Sequence, residues 1–163
     1  MVRHTNSAAF HWLEPGELID GDLRLQLKEC RPPDPDKGRV PCYVFSLITS
    51  SRPEPVGEIH FRVGTNDKLQ RFAGHMGYTV AEAARGFHFA SRAIRLLLPL
   101  AKSHGLTELW ITCNPDNAAS RRTCELAGAV FVEMADLPPE TNMYARGERR
   151  KCRYRIDLRS PAS

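Results

Sequence analysis

Between Val80 and Ala90 the hydrophobic period of the chain changes, and that change limits the folds open to it. Upstream, apolar residues recur at every second position. Leu23, Leu25 and Leu27 alternate with Arg24, Gln26 and Lys28, and Ile59, Phe61 and Val63 alternate with Glu58, His60 and Arg62. Met76, Tyr78 and Val80 alternate with His75, Gly77 and Thr79. A period of two sends neighbouring side chains to opposite faces, so these segments predict half-buried strands, with Tyr43–Thr49 as another. Downstream, Ala90, Ile94, Leu97, Leu98 and Ala101 fall on one helical stripe that ends at Gly105. Pro99 lies inside it and lacks the N–H that the Arg95 carbonyl would accept, which predicts a kink or a weakened turn. Leu109–Cys113 is a short apolar run suited to a strand buried on both faces. Asp116 or Asn117 can cap a second helix that Gly128 ends, and Ala129–Glu133 and Cys152–Leu158 predict the last strands. The order is hairpin-like strands, then strand, helix, strand, helix, strand. It predicts an α/β fold with a mixed, mostly antiparallel sheet carrying helices.

The remaining stretches are irregular by composition. Residues 1–20 carry a Pro15-Gly16 turn, Arg31–Val40 is rich in proline and charge, and 135–149 predicts a polar loop. The 163 residues suit one domain with one core. No apolar run approaches the ~20 residues that span a bilayer, which excludes a membrane helix. Met1–Phe10 lacks a basic-then-apolar signal pattern, so a cytoplasmic location is expected. The net charge of +4 is too small to mark a nucleic-acid binder, although it suits an anionic ligand. Arg146, Arg149, Arg150, Lys151, Arg153 and Arg155 concentrate positive charge, yet such a run more simply forms a solvated strand face. Trp12 and Trp110 fit packing better than base stacking. The five cysteines are odd in number and form no CxxC pair, so reduced thiols are expected and no metal site.

Chemistry concentrates at the change of period. Met76–Val80 leads through Ala81-Glu82-Ala83-Ala84 into Arg85-Gly86-Phe87-His88-Phe89-Ala90, a strand, a turn and a helix start. A helix N-terminus offers free backbone N–H groups and a positive dipole end, and small residues let a phosphate approach the backbone. Alone, this stretch fits equally well a turn that binds nothing. A second stretch follows, Thr112-Cys113-Asn114-Pro115-Asp116-Asn117-Ala118-Ala119-Ser120, continuing to Glu125 and Gly128.

Together the two stretches resemble the GNAT acetyltransferase superfamily, nearest to its branch of ribosomal-protein N-acetyltransferases and related uncharacterised members. There a Gly-Tyr strand precedes Arg-Gly-x-Gly-Tyr-Ala, and Thr-Cys-Asn-x-x-Asn-x-x-Ser follows. Gly74-His75-Met76-Gly77-Tyr78 is similar to the Gly-Gly-His-Ile-Gly-Tyr element of one uncharacterised group. The resemblance covers roughly Val56 to Leu158, about two-thirds of the chain. It implies the GNAT-like twisted sheet with helices on both faces, and acetyl transfer from acetyl-CoA to a primary amine without a metal. It further implies that Val80 bonds the pantetheine arm through its backbone and that Arg85, Gly86, Phe87, His88, Phe89, Ala90 and Ser91 supply the pyrophosphate turn. Asn117 and Ser120 would touch the cofactor, although Asn117 could equally be a simple helix cap. The acceptor is open: a small-molecule amine, a protein N-terminus or a lysine. A homodimer is a further implication.

The sequence departs from this pattern at three places. His88 stands where the family usually has glycine, a cost if that residue needs φ > 0. Cys124 stands where many members place a tyrosine general acid. A thiol of pKa near ~8.5 could protonate a leaving thiolate, but a buried structural cysteine fits as well. The segment before Tyr43 is too short for the two helices that help shape the family's acceptor pocket. The base is also undecided. His75 sits where relatives often carry a glutamate, and a pKa near ~6.5 suits proton removal at neutral pH. His75 could equally be a satisfied strand histidine, with Glu58, His60 or water in its place. A binding module that holds an acyl-CoA without catalysis is the alternative function.

Overall fold

The computed structural model describes residues 10–159. Of the N-terminal segment read above for a signal pattern, all but Phe10 lies outside them. Five strands form one antiparallel sheet in chain order: β1 (Ile19–Asp20), β2 (Leu23–Arg31), β3 (Cys42–Thr49), β4 (Gly57–Arg62) and β5 (Met76–Val80). After β5 comes α1 (Phe89–Ser103), then β6 (Glu108–Cys113), α2 (Ala118–Leu126), β7 (Val130–Asp136), α3 (Asn142–Ala145) and β8 (Arg150–Asp157). The last three strands make a second antiparallel sheet in the order β6-β8-β7.

One hydrophobic core joins the two sheets, and the alternation predicts most of it; Leu27 departs, 41% exposed where the β2–β3 register shifts. Leu23 and Leu25 of β2, Phe45 and Leu47 of β3, Ile59 and Phe61 of β4 and Met76 of β5 meet Ala93, Ile94, Leu97 and Ala101 of α1. Leu109, Ile111 and Tyr154 extend the cluster across the second sheet. Ile94 and Leu97 are fully buried, a contribution of roughly 1.5–3 kcal/mol for each such side chain. On the other side of the second sheet, Phe72, Ala135 and Leu137 gather Met143 and Tyr144 into a smaller cluster.

Four local expectations change. Helix α1 continues through Pro99 without a break. The stretch 135–149 is not wholly loop: α3 forms there, with the Thr141 hydroxyl accepting from the Tyr144 N–H at 3.2 Å. One helical turn is too short to leave a hydrophobic period. A wide helical turn at Leu69–Ala73 buries Leu69 and Phe72, where the composition of Gly64–Phe72 predicts only a polar connection, and the 1–20 stretch contributes the short strand β1. The proline-rich 32–41 stretch is a loop with one tight turn at Pro35–Lys37, as expected. Among the described residues no helix is long and apolar enough to cross a membrane.

Among the described residues, one main-chain hydrogen bond joins the two sheets. The His75 N–H donates to the Trp110 carbonyl at 2.7 Å. Beyond that contact no ladder joins β5 to β6, and the space between them is where the candidate site lies.

Candidate functional site

The turn leading into α1 holds two left-handed residues in succession with one residue between them. Gly86 has φ +94° and His88 has φ +60°. Glycine adopts that region freely; a residue with a Cβ does so at a cost of roughly 1–2 kcal/mol. His88 is the one non-glycine residue with positive φ among those described, at the position where the resembled pattern has glycine. It is also the residue before the first turn of α1, and its side chain caps nothing. The Arg92 N–H is the first to find a helical partner, the His88 carbonyl at 3.0 Å. The N–H groups of Phe89, Ala90 and Ser91 precede it, and a helix gives its first N–H groups no internal acceptor. Uncapped, they fit an anionic group.

A cleft of about 550 Å³ opens over this helix start, lined by β5, the turn and the first turns of α2. Of the residues expected to hold the cofactor, Val80, Arg85, Gly86, His88, Phe89, Ala90, Asn117 and Ser120 line it together. Phe87 and Ser91 do not. The Phe87 ring is exposed and stacks on Phe89 at 5.6 Å, and the buried Ser91 hydroxyl donates to the His88 carbonyl at 3.1 Å. The Arg85 guanidinium folds back to the Val80 carbonyl at 3.2 Å. Asn117 is the N-cap of α2, its side-chain oxygen accepting from the Ser120 N–H at 3.0 Å.

A second cavity of about 460 Å³ borders the first. The two share Tyr78, Asn117 and Ser120. At this junction the Tyr78 hydroxyl lies 2.8 Å from the Ser120 hydroxyl and 3.9 Å from the Cys124 sulfur. Burial pushes the Tyr78 phenol well above its ordinary value, so it keeps its proton at neutral pH. Tyr78 was legible as one apolar member of an alternating strand; nothing in the alternation signals that its hydroxyl reaches the junction.

The geometry corrects both residues expected to act in catalysis. His75 is 1% exposed and uses both ring nitrogens within the fold. Its Nδ1 accepts from the Trp110 N–H at 2.8 Å, which leaves the proton on Nε2 to donate to the Gly64 carbonyl at 2.8 Å. Burial pulls its pKa below the usual histidine value. It lines neither cavity and has no free lone pair with which to take a proton. Cys124 is also fully buried and lines neither cavity. The neighbouring Cys113 thiol and burial push the Cys124 thiol strongly up, and the Tyr78 hydroxyl lies 3.9 Å from its sulfur. Both residues are packed in the interior, outside the lining of the two cavities.

The other candidates resolve in the same way. Lys28 and His60 flank Glu58 at 2.7 and 2.8 Å and hold its carboxyl at about 2. That group shares the polar face of β4 with Arg62, and neither Glu58 nor His60 lines either cavity. Of the basic run, Arg153 is buried, paired with Glu133 and laid over the Trp110 ring at 4.1 Å. Arg149 covers the Tyr144 ring at 3.7 Å, so these cations are engaged internally. Cys30 is the one exposed cysteine and the other four are buried. Among the described residues no group of His, Cys, Asp or Glu is arranged to hold a metal ion.

Comparison with known proteins puts this geometry in context. A comparison with curated protein sequences finds no match. Among solved structures, the ribosomal-protein-S5-alanine acetyltransferase of Vibrio fischeri shares the fold at a TM-score of 0.58 and 16% identity, over 75% of this chain and 64% of that one. The microcin C7 self-immunity acetyltransferase MccE, solved with acetyl-CoA and AMP, does so at 0.55 and 16%, over 71% and 61%. Mycobacterium smegmatis RimJ, solved with CoA-disulfide, does so at 0.54 and 21%, over 75% and 55%. The chain thus spans less than two thirds of the length of each of these three. The sequence profile of the Acetyltransferase (GNAT) domain matches residues 4–130, a span that contains both motif stretches, the uncapped helix start and the Tyr78 junction, and the chain therefore belongs to the GNAT acetyltransferase family.

Proposed function

We propose that this acetyltransferase moves the acetyl group of acetyl-CoA to a primary amine by direct attack in a ternary complex. One observation carries the proposal: two cavities meet at Tyr78, Asn117 and Ser120, and only one of them has the uncapped helix start. That asymmetry assigns the cofactor to the cleft over α1 and the acceptor to the other side. The backbone N–H groups from Phe87 to Ala90 hold the pyrophosphate, with the His88 ring turned aside, and the Val80 backbone guides the pantetheine arm. Structural relatives solved with acetyl-CoA or CoA-disulfide support that assignment.

When bound, acetyl-CoA supplies an acyl carbon already activated as a thioester. The chain's own residues then have two tasks. The acceptor ammonium must lose a proton before it can attack. Among the described residues no carboxylate or imidazole lines the acceptor cavity, and in our reading that proton leaves to water. As the C–N bond forms and the C–S bond breaks, a second N–H proton is released and the departing thiolate gains one. Tyr78 is the O–H group at the junction, and its bond with Ser120 links it to a second hydroxyl through which that proton is replaced. The products are the amide, CoA as a thiol and one proton.

Calorimetry with acetyl-CoA tests the cofactor assignment, and absence of binding refutes it. Release of CoA thiol in the presence of an amine panel tests transfer. Binding with no release on any amine would favour the binding-module alternative. The ribosomal-protein-S5-alanine relative makes proteins one acceptor class to include, so the panel holds N-terminal peptides beside lysine peptides and small amines.

A further inference from the structure

The acceptor cavity is unusual in its charge. Arg62, Arg146 and Lys151 line it, and no aspartate or glutamate does. Two of these cations are partly neutralised from behind. Glu148 approaches Lys151 at 2.6 Å and Arg146 at 3.3 Å, and Lys151 also donates to the Asn114 side chain at 2.8 Å. One carboxylate therefore faces two cations.

Arg62 has no such partner. Among the described residues no carboxylate lies within ion-pair distance of it. Its Nη1 donates to the main-chain carbonyls of Gly74 and Ala73, at 3.1 and 3.4 Å. These two contacts fix the plane of the guanidinium while leaving Nη2 and Nε with no protein acceptor. The group lies across β5 at Gly77: a Cβ placed there would stand 3.0 Å from Nη2. Glycine is thus what allows the guanidinium to rest against β5, in the cavity that Tyr78 also lines. Burial disfavours the charged form of Arg62, and Arg31 adds a charge of the same sign. A guanidinium that is desolvated, fixed by carbonyls and left with two free donor edges is complementary to a planar or tetrahedral oxyanion. Arg62 also lines the neighbouring groove bounded by the 32–41 loop, so an oxyanion on it would lie between the outer surface and the junction.

We propose that the acceptor is a small amine that carries an oxyanion, a carboxylate or a phosphate, and that Arg62 binds this group and turns the amine toward Tyr78. The proposal rests on the acetyl-transfer assignment above and narrows its acceptor.

The test uses matched pairs that differ only in the anion. Glycine and alanine are compared with their methyl esters, and 2-aminoethyl phosphate with ethanolamine. For the full-length protein, kcat/KM for CoA release is expected to be roughly tenfold to a hundredfold higher for at least one anionic member than for its neutral partner, the range of a charge-assisted hydrogen bond. The pair that shows the preference tells carboxylate from phosphate. In Arg62→Gln the ratio falls to about one; in Arg62→Lys, which keeps the charge and loses the fork, part of it survives. Acetyl-CoA affinity by calorimetry stays within about twofold in both variants, since Arg62 does not line the cofactor cleft. Equal rates within every pair for the wild-type protein would overturn the proposal, as would a ratio unaltered by Arg62→Gln. Transfer confined to N-terminal peptides or lysine peptides would overturn it as well. Failure to bind acetyl-CoA would instead sink the parent assignment.

Discussion

Replacing His75 with alanine removes an imidazole that satisfies two main-chain groups. The Trp110 N–H loses its acceptor and the Gly64 carbonyl loses its donor, both at contacts of 2.8 Å. The ring is 1% exposed, so water does not simply replace it. An unpartnered buried polar group costs about 1–3 kcal/mol, and the lost ring volume adds to that. A total of roughly 3–5 kcal/mol is expected, a fall in Tm on the order of 10 °C for a chain of this size. Thermal denaturation followed by circular dichroism measures it. Acetyl transfer, assayed well below the variant's Tm, should keep a kcat within a few-fold of wild type. Burial also depresses the His75 pKa in the folded state, which gives the effect a pH signature. Above the unfolded value of about 6.5 both states hold a neutral ring and the native contacts are intact. As pH falls through 6.5 toward the lower folded value, only the unfolded chain gains a proton, and stability is lost. Wild type should therefore lose more stability than His75→Ala between pH 7 and pH 5. A variant with wild-type Tm whose kcat falls a hundredfold or more, with loss of the acid limb of the rate profile, would refute this reasoning and return His75 to the role of base.

Three further predictions concern the cleft. His88→Gly relieves a left-handed histidine at about 1–2 kcal/mol and incurs about 0.5–1 kcal/mol of glycine entropy, so Tm should rise slightly and CoA should bind at least as tightly by calorimetry; a tenfold loss of affinity would make the ring a ligand. Tyr78→Phe should lower kcat about a hundredfold with little change in acetyl-CoA affinity, the scale of a missing general acid, and an unchanged kcat would reduce Tyr78 to a packing residue. Cys124→Ala should transfer acetyl groups at a rate near wild type, since its thiol lines neither cavity, and a collapse of activity in a folded variant would contradict that.

The fold was legible where periodicity was long. The alternation of β2, β4 and β5 and the stripe of α1 each identify a buried face, because one face or stripe of such elements must leave water. Short elements carried no such signal: α3 is a single turn, and β1 has two residues. In the site, backbone features were more legible than side-chain roles. The Arg85–Ala90 turn and the Asn117 cap follow from local chemistry, and both stand where the spacing puts them. Roles that depend on how distant strands meet were not legible. His75 has the chemistry of a base, yet its availability is decided by Trp110 and Gly64, which are distant in the chain. Arg62 alternates like any exposed strand residue, and its lack of an acidic partner emerges only once β5 lies beside it.

His75 nonetheless matters to the site, through where the strands part. Strands pair when an N–H of one meets a carbonyl of the other. At Trp110 the N–H is taken by the His75 ring, while the Trp110 carbonyl accepts from the His75 main chain. One side chain thereby occupies a donor that a continuing ladder would need. Gly74 makes the close approach feasible, for a Cβ there would meet the Thr112 nitrogen at 3.1 Å and the Trp110 carbonyl at 3.2 Å. The contact is therefore tight at Gly74-His75 and ends there. From Met76 onward β5 is free to diverge, and Tyr78 and Val80, partly buried against the core, line the cleft. The gap that separates the sheets is the place where the two cavities meet. A histidine suspected of moving a proton thus acts through the strand contact at one end of the cleft, and the proposed proton chemistry is assigned to Tyr78 instead.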